Sequence, residues 1–103
     1  MQKTPYYYQL SDEAERDVEG GYSWYESKQE GLGELFLETL DLAEAAITSS
    51  PTTYRIRYKK KVRAFVVKRF HYLILYVVNG NDIDVIAVFN THRHPRNWKE
   101  RVK

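Results

Sequence analysis

The stretch from Lys68 to Trp98, KRFHYLILYVVNGNDIDVIAVFNTHRHPRNW, constrains the fold more than any other part of the chain. Two apolar runs meet there at a tight turn, and the second empties into a cationic tail. Ile83, Val85, Ala87 and Phe89 alternate with Asp82, Asp84, Ile86 and Val88, which is the period of two of a strand. Asn79-Gly80-Asn81 supplies residues that tolerate the left-handed conformations of a hairpin turn. The reading is a β-hairpin of fixed register, with Ile83, Val85, Ala87 and Phe89 on one face, delivering a basic cluster to a sheet edge.

Upstream, Tyr6, Tyr8 and Leu10 predict a short first strand ending at Ser11, a good N-cap with Asp12 and Glu13 behind it. Ala14, Val18, Tyr22 and Tyr25 then recur at helical spacing. Gly20-Gly21 in the middle costs about 2 kcal/mol relative to two alanines, so a bend is expected there. After Gly31 and Gly33, a second amphipathic helix carries Leu32, Leu35, Phe36, Leu40, Ala43 and Ile47 inward and Glu34, Glu38 and Asp41 outward, ending at Ser49-Ser50-Pro51. From Thr53 the period returns to two: Tyr54, Ile56 and Tyr58 oppose Arg55, Arg57 and Lys59. A further run from Val62 reaches towards Lys68 and Arg69. The sum is an α+β fold, with an N-terminal strand and an antiparallel two-helix hairpin packed on a mostly antiparallel twisted sheet.

At 103 residues the chain suits one domain over residues 1–103, burying roughly two-thirds of its unfolded surface. It has no cysteine, so no disulfide framework or thiolate metal site is possible, and a reducing cytoplasm is the expected compartment. The first residues are too polar for a signal peptide, and no apolar run approaches the roughly 18 residues of a membrane span. No membrane partner is expected. The net charge of +2 conceals a strong asymmetry: residues 1–50 hold 3 basic and 11 acidic side chains, and residues 51–103 hold 13 basic and 3 acidic. A cationic half steers polyanions inward, whereas the acidic half opposes indiscriminate coating of nucleic acid.

The order KRF-x-Y-L-I-x-Y-V, a short turn, then I-x-V-I-A-V-F-x-T-x-R-x-P-x-x-W resembles the RelE/ParE superfamily of bacterial toxins, the toxin halves of type II toxin-antitoxin and plasmid-stabilisation pairs. The likeness is closer to the ParE-like branch. It implies growth inhibition, a cognate antitoxin partner, no cofactor, and one of two targets. A ParE-like protein binds and poisons DNA gyrase without being an enzyme. A RelE-like protein is a metal-independent endoribonuclease that cuts mRNA on the translating ribosome.

The resemblance places candidate catalytic residues at Arg69, His92 and Arg93, should the chain be a nuclease. Cleavage by a 2′-hydroxyl needs a base, cationic donors for the charged transition state, and an acid for the leaving oxygen. His92 suits proton transfer because its ordinary pKa lies near neutrality. Arg55, Arg57, Lys59, Lys61, Arg63 and Lys68 are candidates for binding nucleic acid or a partner, and Trp98 could stack on a base or close the sheet core. His92 and His94 alternate along an extended chain with no third ligand evident, so no metal site is expected. The family pattern F-H-T-x-R-D-P reads Phe89-Asn90-Thr91-His92-Arg93-His94-Pro95 here, and the proline of F-P-Y is replaced by His71. An exposed basic strand at a sheet edge also invites an acidic, partly disordered antitoxin segment to add a strand.

Overall fold

The computed structural model describes residues 5–92 and 98–102. Its elements run β1 (Tyr7–Leu10), α1 (Asp12–Lys28), α2 (Leu32–Ser49), β2 (Ile56–Tyr58), β3 (Val62–Val67), β4 (Tyr72–Asn79) and β5 (Asp82–Asn90). Single 3-10 turns at Arg69–His71 and Trp98–Arg101 complete it. The five strands form one sheet in the order β1-β5-β4-β3-β2, with β1 parallel to β5 and the other pairs antiparallel. This is the expected α+β architecture.

Local chemistry explains the helical hairpin. The Ser11 hydroxyl accepts from Ala14 N–H at 3.0 Å, and Asp12, Glu13 and Glu15 fill the positive first turn of α1. α1 runs unbroken through Gly20-Gly21. Gly21 is buried against the core: a Cβ there would sit 2.7 Å from the Phe36 ring and 2.9 Å from the Tyr72 hydroxyl. Gly31 turns the chain at φ 89, and the Glu26 carboxylate accepts from the N–H groups of Gly31 and Gly33, capping α2 from the end of α1. Between the helices and the sheet lies the main core, built on Tyr25, Phe36, Ile47, Tyr72, Ile74, Tyr76, Ile83, Val85 and Val88.

The β4–β5 register departs from simple alternation. Leu75 faces Ala87, but the next residue, Tyr76, faces Val85, so Ile86 is an extra residue in β5. This bulge inverts the sides beyond it. Ile83, Val85 and Val88 therefore face the helices, whereas Ala87 and Phe89 join Val62, Ala64 and Leu75 on the opposite face. Of the Asn-Gly-Asn turn, Gly80 alone takes a positive φ, 59°, in the first loop position, where a II′ turn places glycine.

Two further boundaries differ from expectation. β2 is three residues long rather than beginning at Thr53, because the segment after α2 folds into turns with Thr53 N–H donating to Ser50 O. Tyr76 fixes that segment by donating its hydroxyl to Pro51 O at 2.7 Å, and Tyr54 packs edge-on against Phe65 at 4.9 Å. β3 stops at Val67, since Phe70 and His71 turn the chain at φ 73 and 56.

Candidate partner edge and cationic sheet end

The sheet treats its outer strands differently. β1 pairs with β5 only from Asp82 to Val85, after which the chain leaves for α1. Among the described residues the rest of β5 has no strand on that side, and side chains close it instead. Val88 N–H donates to Asp17 Oδ2 at 2.9 Å, and Arg101 donates to Ile86 O at 3.0 Å. Arg101 also makes a two-pronged ion pair with Asp17 at 2.7 and 3.2 Å, with Glu13 3.7 Å away. The hydrogen bond to Asp17 holds the guanidinium's proton more tightly than usual, outweighing the opposing effect of burial. An acidic helix and the C-terminal segment thus clasp the strand above its bulge.

At the other side β2 is too short to cover β3. It pairs at Ile56–Arg63 and Tyr58–Val62, and Ala64 N–H reaches Arg55 O at 3.0 Å. Because N–H and C=O directions alternate along a strand, the peptide groups of Val66 also point away from β4, beyond the end of β2. Val66 is 51% exposed, and Leu42 on the adjoining α2 face is 74% exposed. Thr39, Leu42, Ala43, Phe65, Val66 and Lys68 line a shallow groove along this open edge.

Cations crowd the same side. Arg55, Arg57, Lys59 and Lys61 are exposed around β2 and the β2–β3 turn, and Lys68 is exposed just past the other end of β3. Lys61 N–H donates to Tyr58 O across that turn, and both central residues, Lys59 and Lys60, have positive φ, 51° and 60°. That is the I′ geometry which asparagine and glycine adopt readily and lysine adopts at a cost of about 1 kcal/mol or more per residue. Arg63 does not share the face of Arg55: it lies opposite Ile56, and its guanidinium donates to Thr52 O and Tyr54 O at 3.0 and 2.7 Å. It is a brace for the segment before β2.

A second cationic cluster lies where β3, β4 and β5 end. The Arg69 guanidinium stands over the Phe70 ring, 5.8 Å from its centre, and the His71 and His92 rings meet edge-on at 4.4 Å. Arg93, with His94 and Arg96, lies outside the described residues. Asn90 holds this end together: its amide donates to Tyr25 Oη and Phe70 O, and its Oδ1 accepts from His92 N–H. His71 O accepts from Thr91 N–H and Thr91 Oγ1. Where the resemblance puts proline, His71 has φ 56, a value the pyrrolidine ring forbids. Trp98 takes the lid position, half-buried against Tyr58 and Phe89 at 5.3 and 6.4 Å, with Lys99 Nζ 5.8 Å from its ring centre.

Sequence reasoning missed Asp17, Arg101 and the structural use of Asn90. Asp17 carried a readable signal, for it sits in the buried stripe with Ala14, Val18, Gly21 and Tyr25 instead of with the outward acids. Arg101 carried none, because its partner is 84 residues away in sequence. Among the described residues, no group of three His, Cys, Asp or Glu side chains could hold a metal, and no helix is long and apolar enough to cross a membrane.

A two-helix hairpin packed on a five-stranded, mostly antiparallel sheet is the fold of the small RelE/ParE-superfamily toxins. Within that class the chain belongs to the ParE toxin family of the type II toxin-antitoxin system parDE, whose model matches residues 8–95. It is a toxin component of such a system, and the family implies an antitoxin partner. Among solved structures, the chromosomal ParDE toxin-antitoxin system from P. aeruginosa contains a chain with the same fold, at a TM-score of 0.74 and 12% identity, covering 82% of this chain and 95% of that one. No curated protein sequence matches.

Proposed function

We propose that this toxin arrests growth by binding and poisoning DNA gyrase, and that its antitoxin silences it by laying an acidic segment along the open β2–β3 edge. The family match over residues 8–95 carries the gyrase reading, since ParE-like toxins act on that enzyme. Asn90 supports it: the side chain standing where relatives commonly have histidine is bound to Phe70 O, Tyr25 Oη and His92 N–H, so it serves as a clasp and not as a proton carrier. The antitoxin site is supported by the exposed Val66 and Leu42 beside Lys68, Arg55 and Arg57. Strand addition supplies main-chain hydrogen bonds there, and the cations select an acidic partner.

The chain should be induced alone in a bacterial host, and gyrase-linked DNA breaks and message 5′ ends measured once growth stops. Gyrase-bound broken DNA with intact messages is the expected result. New 5′ ends within codons and unbroken DNA would replace gyrase with the ribosome as target. One feature favours that second reading, a metal-independent nuclease using Arg69, His92 and Arg93: His92 meets His71 beside Arg69 at one end of the sheet. Toxicity that survives the double substitution Arg69→Ala, Arg93→Ala counts against it.

A further inference from the structure

The sheet has two terminal strands, β1 and β2, and they are opposites. β1 lies among carboxylates. Asp84 accepts from the Gln9 amide at 2.6 Å, and the charges of Glu44 and Asp41 add to burial in holding the proton on the Tyr8 hydroxyl. β2 and the open half of β3 lie among Arg55, Arg57, Lys59 and Lys68. Four of the five large apolar side chains exposed among the described residues flank these two edges: Tyr6 and Tyr7 at β1, and Ile56 and Val66 at β2–β3. The fifth, Leu42, lines the groove beside Val66.

We infer that the free toxin associates with itself head to tail, the acidic β1 edge of one copy adding to the basic β2–β3 edge of the next. The charges decide the pairing. Two β1 edges, or two β2–β3 edges, would bring like charges together across the new strand pair, whereas the mixed pairing brings opposite charges together and buries apolar side chains on both sides. Such a contact is heterologous, so each copy keeps one free acidic and one free basic edge, and the assembly grows with concentration instead of stopping at a dimer. Salt weakens it, because the pairing rests on exposed charges about a Debye length or less apart.

The test uses two full-length variants, each checked for native circular dichroism. Tyr7→Lys places a cation on the acidic edge, and Val66→Glu places an anion on the basic edge. Sedimentation velocity of the unmodified chain at low salt should show an average mass that rises with concentration and falls back to one copy in 1 M salt. Each variant alone should sediment as a monomer, since each lacks one half of the contact. An equimolar mixture should associate again, because Val66→Glu still offers a sound β1 edge and Tyr7→Lys a sound β2–β3 edge. A monomer at every concentration, a self-pairing single variant, or a mixture that stays monomeric would each overturn the inference. The outcome is independent of the gyrase and antitoxin readings, as no partner is present.

Discussion

The upper half of β5 and the outer half of β3 pose one physical problem and receive opposite solutions. Each is a run of strand with no strand beside it, and unpaired peptide groups there invite another chain to pair. On β5 the molecule closes its own edge: a bulge at Ile86 shifts the strand, Asp17 takes Val88 N–H, and Arg101 covers Ile86 O. On β3 nothing similar is spent among the described residues, and Val66 stays half-exposed in a groove with Leu42, Lys68 and Arg69. The contrast separates an edge that the fold closes for itself from an edge that it leaves open.

The closed side depends on how tightly α1 seats against α2 and the sheet. Gly21→Val places methyl groups into the Phe36 ring and the Tyr72 hydroxyl, so it should lower unfolding free energy by about 3 kcal/mol in urea titration, the upper end of overpacking. Asp17→Ala strips Val88 N–H of its acceptor and Arg101 of its ion pair, and should cost about 2 kcal/mol by the same measurement. If Arg101→Ala in the Asp17→Ala background adds its full separate cost, the two do not act as one clasp.

Substitutions that touch the segment before β2 and the β2–β3 turn should move stability less. The Tyr76 hydroxyl, pushed up to about 12 mainly by burial, stays protonated in the folded chain while the unfolded chain ionises near 10. The stability this confers is complete below pH 10 and is lost as pH rises from 10 towards 12, because the folded state then binds more protons than the unfolded one. Tyr76→Phe should flatten that alkaline decline and, at neutral pH, cost about 1 kcal/mol for the lost bond to Pro51 O, read from urea midpoints at stepped pH. The smallest effect has the opposite sign. Lys59→Asn with Lys60→Gly relieves two left-handed lysines, largely offset by the freedom that glycine and asparagine bring to the unfolded chain, and should stabilise by about 0.5 kcal/mol net, while weakening antitoxin binding in calorimetry. Unchanged antitoxin affinity would show that charge at this turn serves no docking role.

Much of the scaffold was legible because it rests on local signals. Ser11 caps α1, the two amphipathic stripes meet, and Gly80 turns the β4–β5 hairpin, each from chemistry within a few residues. The bulge was not legible, since Ile86, Ala87 and Val88 are apolar whichever face they take, and only the pairing with Leu75 and Tyr76 settles it. The left-handed geometry at Lys59 and Lys60 was not legible for another reason: lysine is not a turn residue by propensity, and its backbone is held by the hairpin around it. Composition located the cations in the second half of the chain, but their division was a matter of register. Arg63 went to a structural brace, while Arg55 and Lys68 went to the open edge.

Amide hydrogen exchange resolved at Val88 and Val66, on the dilute chain in moderate salt and again with its antitoxin, tests the two-edge account most directly. Val88 should be protected in both samples, and Val66 should exchange rapidly alone and become protected in the complex. A Val66 amide already protected in the isolated monomer, or one indifferent to the antitoxin, would contradict the claim that this edge is held open for a partner.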